Sequence, residues 1–168
     1  LWRITETEEE LLGMIRLSEE DSGKLSTLRN PSRRRQWLAV RALLNKMLHP
    51  QSAQITYNAD GKPSLEPSVG QMISISHSGE HVAVSLSVQP VITGIDIEPL
   101  HPRIRRVTQR FLSENELKAL STDPGLFELY YYWCSKEALF KLYGSPGIDF
   151  RNEIEVEPIE YFCNGAGR

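Results

Sequence analysis

Met72-Ile73-Ser74-Ile75-Ser76-His77-Ser78-Gly79-Glu80-His81-Val82-Ala83-Val84-Ser85-Leu86-Ser87 is the stretch whose reading decides the fold of the first half of this chain. Successive side chains on a strand point to opposite faces, so the alternation of Ile73 and Ile75 with Ser74 and Ser76 predicts a half-buried strand. Ser78-Gly79-Glu80 interrupts the pattern with a turn, and Val82, Val84 and Leu86 resume it. The two runs therefore pair as a hairpin.

Upstream of the hairpin, residues Asn30 to Leu48 read as a helix. Asn30 can cap it, Pro31 suits its first position, and Trp37, Val40, Leu44, Met47 and Leu48 recur at helical spacing until His49-Pro50 ends it. At about 100° per residue, Arg41 lies at the edge of the apolar stripe and Arg35 nearly opposite, so Arg41 is the better placed to reach a cleft. A turn-rich stretch, Asn58-Ala59-Asp60-Gly61-Lys62-Pro63, joins the helix to the hairpin. This completes an N-terminal lobe, 1–90.

Downstream, Val91-Ile92-Thr93-Gly94-Ile95-Asp96-Ile97-Glu98 reads as a third extended run stopped by Pro99. Helices follow over Val107 to Phe111, from a capping box of Ser113 with Glu116, and over Leu126 to Tyr143. A further extended segment, Asn152 to Glu157, gives the C-terminal lobe, 91–168, a strand, helices, strand order. Both halves combine a long helix with later strands, as an ancient duplication would leave them.

The composition agrees with this scale. A chain of 168 residues suits one ordinary domain or two small lobes sharing a core, and 40% hydrophobic with 24% charged residues is the make-up of a soluble globular protein. No run approaches the roughly 18 uncharged residues of a membrane span. Glu6, Glu8, Glu9 and Glu10 do not fit a signal peptide, so a cytoplasmic location without membrane association is expected. Cys134 and Cys163 have neither metal-ligand spacing nor the density of a disulfide scaffold, and are expected to be reduced and structural. A net charge of −3 argues against a nucleic-acid binder. Acidic residues crowd positions 6 to 20, whereas Arg29, Arg33, Arg34, Arg35, Arg41 and Lys46 form a basic block, either a solvated helix face or a seat for a small polyanion.

Three places could carry chemistry. Asp96 and Glu98, two apart, would share a face at a strand end and offer two carboxylates to a hard cation such as Mg²⁺; a solvent-facing polar edge is the bland alternative. Trp133, Glu137 and Lys141 recur every four residues along one helix face, as an ordinary helix ion pair or as a third carboxylate with Lys136 and Lys141 for phosphates. His77, between two serines and ahead of a glycine turn, and Lys62 in Gly61-Lys62-Pro63 are weaker candidates for a phosphate contact, with a structural role as the bland alternative.

Taken together and in order, Ile75-Ser76-His77-Ser78-Gly79, Gly94-Ile95-Asp96-Ile97-Glu98 and Trp133-Cys134-Ser135-Lys136-Glu137-Ala138-Leu139-Phe140-Lys141 resemble the three signature stretches of the 4′-phosphopantetheinyl transferases. Gly61-Lys62-Pro63 and Ala39-Val40-Arg41 resemble two weaker upstream elements, so the likeness runs from about Arg33 to Glu157. The chain departs from the pattern at Val40, where many relatives have glycine, and at Cys134, where serine or threonine is common.

The resemblance implies the two-lobed, surfactin-synthetase-like class: an α+β fold of two pseudo-twofold-related lobes, each with a long helix on a small mostly antiparallel sheet, and coenzyme A in the cleft between them. Relatives continue with further strands past the signature helix, so the second lobe is read as C-terminally incomplete. It implies transfer of 4′-phosphopantetheine from coenzyme A to a serine of an apo acyl or peptidyl carrier protein, with release of 3′,5′-ADP. By the same analogy Asp96, Glu98 and Glu137 bind Mg²⁺ or Mn²⁺, and Lys136 and Lys141 hold the pyrophosphate. Arg41, Lys62, Ser76 and His77 hold the nucleotide end. Catalysis falls to Asp96, Glu137 and Lys141, with Glu137 the first choice of base, directly or through water. A monomer is expected. The basic groups at Arg33 to Arg41, or at Arg103, Arg105, Arg106 and Arg110, are the candidate docking faces for an acidic carrier. The rival readings are a non-catalytic coenzyme A or carrier-protein binding module and a metal-dependent phosphohydrolase.

Overall fold

A computed structural model describes residues 1–49, 54–66, 70–88, 91–144 and 147–158. A two-residue strand β1 (Trp2–Arg3) leads into three helices, each started by a side-chain cap. Thr7 and Glu10 form a capping box on α1 (Glu8–Gly13), Ser18 caps α2 (Glu19–Thr27), and Asn30 accepts from the Arg33 amide to open α3 (Pro31–Leu48). The acidic crowding at the N-terminus now has a cause: Glu8, Glu9, Glu10, Glu19, Glu20 and Asp21 occupy the first turns of α1 and α2, where a carboxylate meets the positive helix end. The predicted long helix agrees with α3.

Two short strands, β2 (Gln54–Tyr57) and β3 (Pro63–Glu66), pair antiparallel around the Asn58–Lys62 turn. Asn58 Oδ1 accepts from the amides of Asp60 and Lys62 and closes that turn. The predicted hairpin is β4 (Gln71–Ser78) with β5 (His81–Val88), Ile75 opposite Val84 and Ser74 opposite Ser85; β1 adds to the free edge of β5. Ile73, Val82 and Val84 on its apolar face join Trp37, Leu38, Val40, Leu44 and Leu48 of α3 in a first core, completed by Ile4, Leu11 and Leu25. The result is a mixture of helices with small antiparallel sheets, the α+β class expected.

The serine face of the hairpin is covered too. Residues 91–98 lie extended across it, with Ile95 N donating to Ser74 Oγ (3.1 Å), Ile97 N to Ser76 Oγ (3.3 Å), and the Ser85 and Thr93 hydroxyls bonded at 2.6 Å. This corrects the expected third strand: hydroxyls, not a neighbouring backbone, take those amides, so no ladder forms. Gly94 is needed for the fit, because a Cβ there would stand 2.0 Å from the carbonyl oxygen of Ala138.

Beyond this segment come a 3₁₀ turn (Pro102–Arg106), α4 (Thr108–Phe111), α5 (Glu114–Ala119) under the predicted Ser113/Glu116 capping box, and α6 (Leu126–Tyr143), whose bounds match the predicted helix. A second core gathers Ile104, Phe111, Leu112, Leu129, Tyr132, Ile154 and Val156. Trp133 meets Phe111 edge-on at 5.1 Å and stacks on Phe150 at 6.0 Å. The expected strand over Asn152 to Glu157 is likewise corrected: the Asp149 carboxylate takes the Arg151 and Asn152 amides into a turn, and Val156 N donates to Glu116 Oε1 (2.8 Å). Among the described residues past Val88 there is no strand. Cys163 lies outside the described residues, while Cys134 is a free thiol as expected. No described helix is long and apolar enough to cross a membrane.

Candidate functional site

The last turns of α6 bring Lys141 across to the 91–98 segment. Its Nζ lies 2.7 Å from Asp96 Oδ1, 3.1 Å from Ser76 Oγ and 3.2 Å from the Ile95 carbonyl. Ser76 Oγ in turn donates to the same Asp96 oxygen at 2.8 Å. Lys141 thus pairs across the structure with Asp96, not one turn back with Glu137. Asp96 Oδ2 is buried without a partner. An unsatisfied buried carboxylate oxygen is costly unless a ligand completes it.

Two more carboxylates act on this point. Glu98 accepts from Ser78 Oγ at 2.7 Å. Burial pushes the Glu137 carboxyl above the usual carboxylate range, and the charges of Asp96 and Glu98 add to that push while Lys141 opposes it. Among the described residues no three His, Cys, Asp or Glu side chains close into a metal cage. The donor set nevertheless fits a hard divalent cation: oxygen donors only, one orphaned, and mutual repulsion that a cation relieves.

The Asp96–Lys141 pair separates two cavities. On the Lys141 side a cavity of about 290 Å³ has Arg33, Arg41, Lys62 and Lys141 against one carboxylate, Asp60, and is net cationic, with His77, Trp37 and Phe140 on its walls. Arg33 Nη1 donates to the His77 ring, and burial followed by the charges of Arg33 and Lys141 lowers the His77 pKa, so this ring is uncharged at neutral pH. Lys62 Nζ donates to the Leu142 carbonyl at 3.0 Å and caps the C-terminus of α6 from outside. On the Asp96 side a cavity of about 460 Å³ is mostly apolar, with Leu100, Phe127, Tyr130, Tyr131 and Cys134 beside Asp96 and Glu98. Burial, then the charge of Asp96, pushes the Cys134 thiol up to about 12, so Cys134 is a protonated wall and not a nucleophile.

The family model described as the 4′-phosphopantetheinyl transferase superfamily matches residues 92–161, the stretch that supplies Asp96, Glu98, Glu137 and Lys141. Over that stretch the chain matches the superfamily's pattern. It is 36% identical over 117 residues to the 4′-phosphopantetheinyl transferase AcpT of Escherichia coli (strain K12), covering 67% of this chain and 59% of the relative. It is 32% identical over 116 residues to the 4′-phosphopantetheinyl transferase psf-1 of Bacillus pumilus, covering 66% and 48%. A 4′-phosphopantetheinyl transferase of Bacillus subtilis, ffp, is 30% identical over 110 residues, covering 62% and 48%. The matches span less than two thirds of each relative's own length.

The signature residues divide. Asp96 and Lys141 are paired, Glu98 lines the apolar cavity beside Asp96, and Glu137, which lines neither cavity, feels the charges of all three; Arg41, Lys62 and His77 reach the cationic cavity. Ser76 does not line it; the hydroxyl stands behind, holding Asp96 and Lys141. Lys136 is a correction. It is fully buried, with Nζ 2.6 Å from the Phe150 and Ile154 carbonyls and 2.7 Å from Glu116 Oε2, and lines neither cavity. Five residues from Lys141 on α6 puts Lys136 about 140° round the helix, facing the second core. The basic block is also split, because Arg34 is held by Glu8 and the Leu25 and Leu28 carbonyls and Arg41 is buried, so it forms no single docking face. Sequence reasoning took Trp37 as core only and missed the pairing of Arg41 with Asp21. Helical spacing gave Trp37 no second role, and nothing local tied Asp21 to a residue twenty positions on.

Proposed function

We propose that this chain transfers the 4′-phosphopantetheine group of coenzyme A to a serine hydroxyl of an apo carrier protein and releases 3′,5′-ADP. The carrying observation is the Asp96–Lys141 pair at the partition between a cationic and an apolar cavity. The nucleotide end, with its phosphates, suits Arg33, Arg41, Lys62 and His77 on one side. The carrier serine and the pantetheine arm suit the aromatic walls on the other. Asp96, Glu98 and Glu137 would hold Mg²⁺ or Mn²⁺, which supplies charge neutralisation at the pyrophosphate oxygens.

The serine oxygen attacks the β-phosphorus in line, the bond to the bridging oxygen breaks, and 3′,5′-ADP leaves with the electron pair. Lys141 steadies the charge that develops on that leaving oxygen. Glu137 takes the serine proton, directly or through a water. We read the two cores as two lobes, 1–90 and 91–168, of the pseudo-twofold, surfactin-synthetase-like class, acting as a cytoplasmic monomer on carrier proteins and not on nucleic acid. The exposed Leu100 and Phe127 on the lining of the apolar cavity, with Arg103, Arg105 and Arg106 on the 3₁₀ turn that follows Leu100 and Arg110 on α4, suit an acidic carrier helix.

Incubation with coenzyme A, Mg²⁺ and an apo carrier protein tests the reading by mass spectrometry. A carrier gain of one phosphopantetheine is expected. Release of 3′,5′-ADP without it would make the chain a phosphohydrolase, and binding without product a non-catalytic module.

A further inference from the structure

Arg41 is fixed on three sides. Its Nε and Nη2 meet the two oxygens of Asp21 at 3.0 and 2.7 Å, and its guanidinium carbon stands 3.2 Å from the ring centroid of Trp37. Asp21 is itself set at the start of α2, where its amide donates to the Ser18 cap at 3.1 Å. What remains is Nη1, buried and without a partner. A guanidinium paired through its Nε and Nη2 edge presents Nη1 on the side away from the carboxylate. Arg41 lines the cationic cavity without Asp21, and lines a second, smaller cavity of about 40 Å³ together with Asp21.

We infer that Asp21 is a positioning residue for phosphate recognition: it locks Arg41 so that Nη1 is presented to an anion in the cationic cavity. The inference rests on the proposed binding of coenzyme A there and adds a residue outside every signature stretch. Asp21 touches no substrate. It removes the rotational freedom Arg41 would otherwise lose on binding, and Trp37 holds the plane of the guanidinium while Asp21 sets its direction.

Calorimetric titration of coenzyme A into the unsubstituted chain, Asp21→Asn, Arg41→Gln and the double variant tests this, with melting measured in parallel. Asp21→Asn is expected to weaken binding about tenfold, a charge-assisted contact's share, and to raise KM with kcat retained. In the Arg41→Gln background the same change is expected to add nothing, since Asp21 acts through Arg41. Asp21→Glu, which keeps the charge and moves it by one methylene, is expected to lose less than Asp21→Asn, and it stands in if Asp21→Asn does not fold. Unchanged affinity in a folded Asp21 variant, or an equal loss in the Arg41→Gln background, would overturn the inference, as would failure of the unsubstituted chain to bind coenzyme A. A chain that binds coenzyme A but transfers nothing would defeat the transferase reading and leave the Asp21 comparison intact.

Discussion

The first core stacks aliphatic side chains of α3 on a hairpin whose backbone pairs with itself, whereas the second wraps α6 in loops whose amides and carbonyls need side-chain partners. Glu116 and Lys136 are those partners: Glu116 takes the Ser113 and Val156 amides, and Lys136 takes the Phe150 and Ile154 carbonyls while pairing with Glu116. Buried charge in the second core is thus fully satisfied and structural. At the seam between the cores, Asp96 Oδ2 and Arg41 Nη1 are left unsatisfied. The lysines five apart on α6 thus have different surroundings, Lys136 within the second core and Lys141 on Asp96.

Breaking the second core's polar tie should have the largest effect. Lys136→Met leaves Glu116 charged and buried and is expected to cost about 3 to 5 kcal/mol in urea unfolding. If Lys136→Met stays stable but loses coenzyme A affinity, the division between the two lysines is wrong. Lys141→Ala is the converse. Transfer is expected to slow about 10²- to 10³-fold, read by carrier mass gain, while stability falls by about 1 to 3 kcal/mol, less than for Lys136→Met because Lys141 is part-exposed and Ser76 still donates to the buried Asp96.

Gly94→Ala probes the seam without touching a charge. Its Cβ would push 91–98 off α6, at an expected cost of about 1 to 3 kcal/mol, with transfer reduced because Asp96 moves. The smallest effect is expected from pH. His77 is held neutral in the folded chain by burial and by Arg33 and Lys141, with Asp96 opposing, so its folded pKa is depressed. Its contribution is present above about pH 6.5, where the unfolded ring is also neutral, and is lost as pH falls through the folded pKa. Unfolding of His77→Asn should show a flatter pH dependence in that window.

Much of this architecture was legible. Asn30, Pro31 and the apolar spacing fixed α3, alternation fixed β4 and β5, and Ser113 with Glu116 marked the start of α5. The failures share a cause. Ile95 and Ile97 have strand-like side chains, but their amides are claimed by Ser74 and Ser76 twenty-one residues earlier, and alternation says nothing about who accepts a hydrogen bond. Val156 is diverted in the same way by Glu116. At the candidate site, the order of the signature stretches singled out Asp96, Glu98 and Lys141, of which the structure pairs Asp96 with Lys141. The burial of Lys136 was not legible, because only the packing of α6 tells which of its faces turns inward.

The most direct test of the account is carrier mass gain by Asp96→Asn under single turnover with coenzyme A, Mg²⁺ and excess enzyme, with circular dichroism confirming the fold. The unsubstituted chain is expected to transfer phosphopantetheine, and the folded variant to lose at least about a hundredfold. Equal transfer by folded Asp96→Asn would contradict the placement of the chemistry at the Asp96–Lys141 partition.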